Sequence, residues 1–217
     1  MEIEYWSDIA CPFCYIGSTR MKRALRELGL AATTLLKLKA FQLDPMLPTT
    51  TQQTMVENFA HGHGMTTAQA EQQIQQISQM GASDGLNVDL QHAIPTNTLD
   101  AHRLIKLAAT FNNAKLVERV IDALYQVYFS QHLSIADLDV LRATAIQAGL
   151  PADQVQATLE TNRFAQAVRD DEHEAHQLGI QGAPFFVINH HYGLSGAQPY
   201  ATMVAALKQI QDKAVAK

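Results

Sequence analysis

The spacing of apolar residues changes character several times along the chain, and each change predicts an element. Ile3, Tyr5 and Trp6 give a short strand over about residues 2–6. From about Pro12 to Leu28 the spacing turns helical, with Ile16, Met21, Ala24, Leu25 and Leu28 on one side and Gly29 as its stop. Thr33 to Leu43 reads as a second strand, with Leu36, Leu38, Ala40 and Phe41 inward, until Asp44-Pro45 and Pro48 break it. The middle of the chain is helical. Thr66-x-x-Gln69 has the form of a capping box and opens a glutamine-rich helix with Ala70, Ile74, Ile77 and Met80 inward, ending near Gly81. Leu99, Leu104, Leu107 and Ala108 mark another helix, preceded by Pro95-Thr96-Asn97-Thr98. Leu116, Val117, Val120, Ile121, Leu124, Val127 and Tyr128 form a third stripe. Ser134-x-x-Asp137 is expected to cap the next helix, with Leu133 stapled onto Leu138, Gly149 closing it and Pro151 beginning another.

The tail reads differently. A helix from about Arg163 to Leu178 stops at Gly179. Pro184-Phe185-Phe186-Val187-Ile188 and Tyr192-Gly193-Leu194-Ser195 then form two strands, joined at Asn189-His190 as a hairpin. A last helix follows Pro199, with Met203, Val204, Leu207 and Ile210 inward. With the central helices set aside, the order is strand, helix, strand, helix, strand, strand, helix.

Composition narrows the class. Of 217 residues 47% are hydrophobic and 17% charged, which supports a sizeable core and argues against disorder. The formal net charge is −5 and no Lys/Arg cluster stands out, so nucleic acid is not an expected partner. Glu2-Ile3-Glu4-Tyr5-Trp6 has neither the basic nor the apolar region of a secretory leader, and no run has the length of a membrane span. A cytoplasmic location without membrane attachment is the expectation.

The chain has two cysteines, in Cys11-Pro12-Phe13-Cys14, directly after the first strand and at the start of the first helix. At a helix N-terminus, unpaired N–H groups and the dipole favour a negative charge, so Cys11 is placed to act as a thiolate. Cys14, one turn on, is placed to resolve a mixed disulfide, and Pro12 suits the first helical turn. A purely structural staple is disfavoured because so short a loop removes little unfolded-chain entropy. A zinc half-site would need two histidines to complete it, since no second cysteine pair exists. A dithiol in a reducing compartment is expected to cycle between its two states.

Four stretches carry a family resemblance: Asp8 to Gly17; Asn97-Thr98-Leu99-Asp100-Ala101-His102-Arg103; Gly179-Ile180-Gln181-Gly182-Ala183-Pro184-Phe185-Phe186-Val187; and Leu194-Ser195-Gly196-Ala197-Gln198-Pro199. In this order they resemble the DsbA-type oxidoreductases, and within them the cytosolic FrnE-like branch. The resemblance implies an α/β thioredoxin fold with a large all-helical insertion between the second strand and second helix. The thioredoxin-like domain would comprise residues 1–47 and 160–217, and the insertion 48–159. It further implies Cys11 as nucleophile, Cys14 as resolving thiol and Pro184 as a cis-proline facing the pair. Pro12, Phe13 and Ala183 would meet the substrate, Ala183 through its backbone. Asn97 and His102 are candidate groove residues, His102 with a helix-end role as its alternative. DsbA has His where this chain has Phe13, and many FrnE-like proteins have Trp, so the extreme thiolate stabilisation of DsbA is not implied here.

Asp8 reads either as a turn residue or as a proton relay for Cys14. The pairs His61/His63, His173/His176 and His190/His191 lack further ligands, so surface or capping roles are expected and no metal site. Ser195 lacks the Gly-x-Ser-x-Gly context of a hydrolase nucleophile, and Gly182, Gly193 and Gly196 do not have dinucleotide-fingerprint spacing. The leading function is thiol–disulfide exchange with protein, peptide or small-thiol substrates. It needs no cofactor beyond the dithiol, with glutathione a candidate co-substrate. A glutathione-dependent isomerase or transferase, of the 2-hydroxychromene-2-carboxylate isomerase or kappa-class type, is the alternative; such relatives typically have Ser at the position of Cys11. A holdase-like binding protein is a third reading. The motifs set no oligomeric state.

Overall fold

The fold is built on one central strand. In a computed structural model, describing residues 1–215 and side chains as far as residue 213, β1 (Glu2–Ser7) lies between β2 (Leu35–Ala40) and β3 (Phe185–Ile188), with β4 (Tyr192–Ser195) outside β3. β1 and β2 are parallel, with Glu2 opposite Leu35 and Ser7 opposite Ala40, so a crossover helix is required between them. That helix is α1 (Pro12–Glu27). β3 runs antiparallel to β1, and β4 returns along β3 through Asn189 and His190, both at positive φ as a tight hairpin turn demands.

Alternation along β1 serves two cores. Ile3 and Tyr5 face α1 and α9 (Tyr200–Val215), packing with Met21, Leu25, Met203 and Leu207. Trp6 faces the other way, against Ala175 and Ile180 beside α8 (Ala165–Gln177), and its indole N–H donates to the Asp171 carbonyl at 2.9 Å. Both faces are covered, and five of the six strand residues are buried.

Between β2 and α8 lie α2 (Met55–His63), α3 (Thr67–Ser83), α4 (Leu99–Ala109), α5 (Ala114–Phe129), α6 (Leu138–Gln147) and α7 (Ala152–Leu159). This is the helical insertion expected from the sequence. Its buried side chains, such as Leu104, Val120 and Leu124, belong to the same apolar cluster as Tyr5 and the two cysteines. The insertion therefore packs against the part of the molecule that carries the two cysteines and shares its core.

Local details depart from the sequence reading. The helix α2 was not anticipated, although Thr54-x-x-Glu57 makes a full capping box. The helix α3 runs two residues past Gly81; Met80 is exposed and Gly81 is buried, because a Cβ at Gly81 would fall 2.7 Å from Val88 Cγ2. α6 starts at Leu138 with Asp137, not Ser134, as its cap. Leu133 and Leu138 are both exposed, so the expected staple is not a buried contact. β2 is shorter than the Thr33–Leu43 run, since beyond Ala40 the chain turns to meet Asp8.

Candidate redox site

β1 ends at Ser7 and the chain turns through Asp8, Ile9 and Ala10 into α1. The turn is fixed by the Cys11 N–H donating to the Asp8 carbonyl at 3.3 Å and by burial of Ile9. Cys11 becomes the N-cap of α1, with φ −92° and ψ 112°, and its Sγ accepts the N–H of Cys14 at 3.3 Å. Sulfur thus occupies the place of the usual capping oxygen, satisfying one of the orphan donors of the helix end. Negative charge on that sulfur is favoured by the same N–H and by the dipole.

The two thiols are free and unlike. Cys14 is fully buried, and burial pushes its thiol well above the ordinary range; the hydrogen bond and charge of Cys11 add to this. The Asp8 N–H, which donates to Cys14 Sγ at 3.4 Å, and the Ser7 hydroxyl pull the other way without prevailing. Cys14 therefore stays protonated at neutral pH. Cys11 is 2% exposed, whereas Phe13 shows 36% of its surface and is the exposed member of the motif.

Opposite the thiols lies the loop before β3. The Ala183–Pro184 bond is cis, and Cys11 Sγ faces the Ala183 carbonyl at 3.7 Å. Pro184 packs over α1 at Gly17, where an added Cβ would come within 3.1 Å of the proline Cγ. The Pro184 carbonyl accepts from Gly196 N at 2.7 Å, tying this loop to the Leu194–Pro199 stretch.

Beneath the turn is a buried polar group of four residues. Asp8 Oδ1 is 3.2 Å from His102 Nε2 of α4, and Asp8 Oδ2 accepts the Leu43 N–H at 2.8 Å. His102 Nδ1 is buried without a partner. Ser7 Oγ and Tyr125 Oη, the latter from α5, lie 3.0 Å apart, and Tyr125 also reaches the Asp8 carbonyl at 3.4 Å. Burial raises the Tyr125 phenol well above its ordinary range, and the nearby Cys14 adds to this, so it remains a neutral hydroxyl. Tyr15 of α1 stacks on Tyr125 at 4.4 Å between ring centroids, fixing the ring.

Of the residues singled out in the sequence, Cys11, Cys14, Ala183 and Pro184 meet at one point. Pro12 is buried in the first turn of α1, and Phe13 stands at the surface beside it. Two groove candidates fall elsewhere. Asn97 spends both ends of its amide inside the fold, donating to the Pro45 carbonyl at 3.0 Å and accepting from Leu99 N at 2.9 Å. His102 is completely buried, so it meets Asp8 from below and lines no open groove. Ser7, Tyr125 and Leu43 were not anticipated; Tyr125 sits on the apolar stripe of α5, where nothing in the spacing marks a hydroxyl contact. Among the described residues no helix is long and apolar enough to cross a membrane.

Comparison with known proteins gives a consistent result. Residues 2–208 match the profile of the DSBA-like thioredoxin domain. A probable DsbA oxidoreductase of Streptomyces coelicolor is similar at 36% identity and TM-score 0.90, over 96% of this chain and 89% of that one. At 13% identity, 2-hydroxychromene-2-carboxylate isomerase shares the fold with TM-score 0.70, over 99% and 98% of the two chains. At 16% identity, the cytosolic disulfide reductase DsbM of Pseudomonas aeruginosa, solved with GSH, has TM-score 0.67 over 97% and 100%.

Proposed function

Since the chain belongs to the DSBA-like thioredoxin domain family and is a disulfide oxidoreductase, we propose that its exchange chemistry runs through Cys11 and Cys14. The observation that carries this is the unequal pair: Cys11 caps the helix with its sulfur on the Cys14 N–H, and Cys14, 3 residues later, is fully buried with its thiol pushed up. The Cys11 thiolate attacks a substrate disulfide, forming a Cys11–substrate bond and expelling one substrate thiolate. Cys14 then loses its proton and attacks Cys11 Sγ, releasing the second substrate thiolate. The substrate disulfide gains two electrons and the Cys11–Cys14 pair becomes the disulfide. Run backwards, the same steps oxidise a substrate dithiol.

Burial makes deprotonation of Cys14 the demanding step. Asp8 places its backbone N–H on Cys14 Sγ, and the carboxylate of the same residue, held by His102, forms a buried acid–base pair with it. We assign the pair to receiving the Cys14 proton. Ala183, with its carbonyl toward Cys11, and exposed Phe13 would contact an extended substrate backbone. The proposed substrates are protein or peptide disulfides and glutathione, in a FrnE-like cytoplasmic role. A glutathione-dependent isomerase has no evident use for a buried second thiol, which favours exchange over that reading.

Mixing the protein with a disulfide-bonded peptide tests the assignment. Cys14→Ser should accumulate the mixed disulfide at Cys11, and Cys11→Ser should form none. Asp8→Asn should form it at the normal rate but resolve it at least about 10-fold more slowly, with a changed pH profile, the usual scale for losing a positioned base. Trapping through Cys14, or isomerase turnover that survives in Cys14→Ser without any trapping, would overturn the reading.

A further inference from the structure

Outside the redox site, the connection from α3 to α4 is pinned to the end of α5. The Asp89 N–H donates to the Phe129 carbonyl at 3.1 Å, and Ser130 Oγ donates to the Asn87 carbonyl at 2.9 Å. Held this way, three side chains converge. Asp89 Oδ2 lies 2.8 Å from His92 Nδ1 and 3.1 Å from His132 Nε2, and one ligand atom from each residue lies within 4.8 Å of the other two. The imidazoles of His92 and His132 stand 5.4 Å apart, tilted by 54°, so neither blocks the other.

The contact at His132 is unlike an ordinary ion pair. Its Nε2 atom is buried, and the carboxylate oxygen at 3.1 Å is too far off line to make a hydrogen bond. A buried ring nitrogen left unsatisfied costs free energy, of order 1–3 kcal/mol. It lies within 4.8 Å of the ligand atoms of Asp89 and His92, where a positive ion would use its lone pair. Metal–ligand distances near 2.1 Å in a tetrahedral shell put neighbouring ligand atoms about 3.4 Å apart. The 2.8 Å and 3.1 Å separations need only a few tenths of an ångström of opening.

We propose that Asp89, His92 and His132 bind one divalent transition cation of the zinc type, which ties the α3–α4 connection to the end of α5. Two imidazoles and one carboxylate are a donor set for zinc and its neighbours, whereas magnesium and calcium prefer oxygen alone. Three protein ligands leave a fourth position for water or a partner's side chain. The sequence conceals the set, because Asp89 and His92 are neighbours but His132 follows forty positions later, after two helices.

The test uses the full-length, untagged Cys11→Ser/Cys14→Ser protein, because a free dithiol would bind zinc itself. Zinc is titrated against a chromophoric chelator, and cobalt(II) is added separately to read coordination by its visible absorption. The expected result is one strongly bound equivalent, tetrahedral-type cobalt bands and a rise in Tm on adding zinc. Either His92→Gln or His132→Asn should weaken binding by more than about 100-fold, beyond the cost of losing an outer-shell partner. Asn tolerates the positive φ of 56° at position 132, and His92 is mostly exposed, so both variants should fold. His61→Ala/His63→Ala should bind as before. No strong equivalent, or one that survives both single substitutions, overturns the proposal.

Discussion

Phe13 stands at the surface between the two thiols and brings no polar atom to either of them. The charge on Cys11 is therefore supported by the Cys14 N–H and the helix end alone. Stabilising that thiolate stabilises the reduced protein and so raises the potential. Thioredoxin at about −270 mV and DsbA at about −120 mV bracket the range, and we expect a value away from the DsbA end. Phe13→His should add a favourable contact to the thiolate and shift the potential upward by about 30 mV, equivalent to about 1.4 kcal/mol for two electrons. Equilibration against graded glutathione buffers reads this directly; no shift, or a downward one, would move control of the potential to the Ala183–Pro184 loop. At this scale the place of the cysteines at the helix start and the cis bond at Pro184 were legible, because both are tied to local sequence. Ser7 and Tyr125 were not, because their contact spans more than a hundred residues.

Between elements, the closest fit near the site is α1 against the loop of Pro184. At Gly17 an added Cβ would meet Pro184 Cγ at 3.1 Å and Ala197 Cα at 3.4 Å. Gly17→Ala gains about 1 kcal/mol of helix propensity, which should offset the squeeze and leave stability nearly unchanged. Gly17→Val loses most of that gain and adds two methyls with nowhere to go. It should cost about 1–3 kcal/mol, measured by urea unfolding, and slow exchange by displacing Pro184 from the thiols. Unimpaired exchange in a destabilised Gly17→Val protein would mean that the loop position is not set by this contact. Element types followed from periodicity wherever a stripe was long, as in α5. The helix α2 was missed because its nine residues bury only Met55 and Ala60, too few to make a stripe, and its capping box was the remaining signal.

Across the whole molecule, the Trp6 face of the sheet is closed by charges as well as by apolar packing. Glu4 and Lys39 of neighbouring strands are buried beside Asp171 and Glu174 of α8, with Lys39 Nζ 2.6 Å from Glu174 and 3.4 Å from Asp171. Lys37 Nζ lies 3.0 Å from Glu4, and Lys106 of α4 also pairs with Asp171. Burial alone would push the Glu4 carboxyl up, but the Lys37 hydrogen bond and the charges of Lys39, Lys37 and His190 hold it below the usual 4.5. Burial alone would push the Lys39 ammonium down, but Glu174, Asp171 and Glu4 hold it above 10.5. A depressed carboxyl contributes stability above its unfolded value and loses it as pH falls through the folded one. A raised ammonium contributes below about 10.5 and loses it as pH climbs through its folded value. Glu4→Gln should therefore cost about 1.5–3 kcal/mol at pH 7, as for a hydrogen bond to a charged group, with the gap narrowing as pH falls below the ordinary 4.5. Urea unfolding at pH 7 and pH 3.5 checks this; a gap of equal size at both would show that charge is not its source. Asp171→Ala removes the partner of two ammoniums and should cost about 3–5 kcal/mol.

The sequence by itself determined the order of the strands and of the longer helices, the thioredoxin frame with its helical insertion, and the place of Cys11-Pro12-Phe13-Cys14 at the start of α1. Each rests on short-range rules: side-chain period, capping, and the field at a helix end. Tertiary structure alone decided what surrounds that motif. It set the Cys14 thiol in a dry site, brought His102 beneath Asp8 and Tyr125 onto Ser7, and gathered Asp89, His92 and His132 at the end of α5. These groups lie on elements far apart in the chain, and packing of apolar stripes fixes where the helices cross. The polar side chains that meet at a crossing carry no periodic signal of their own.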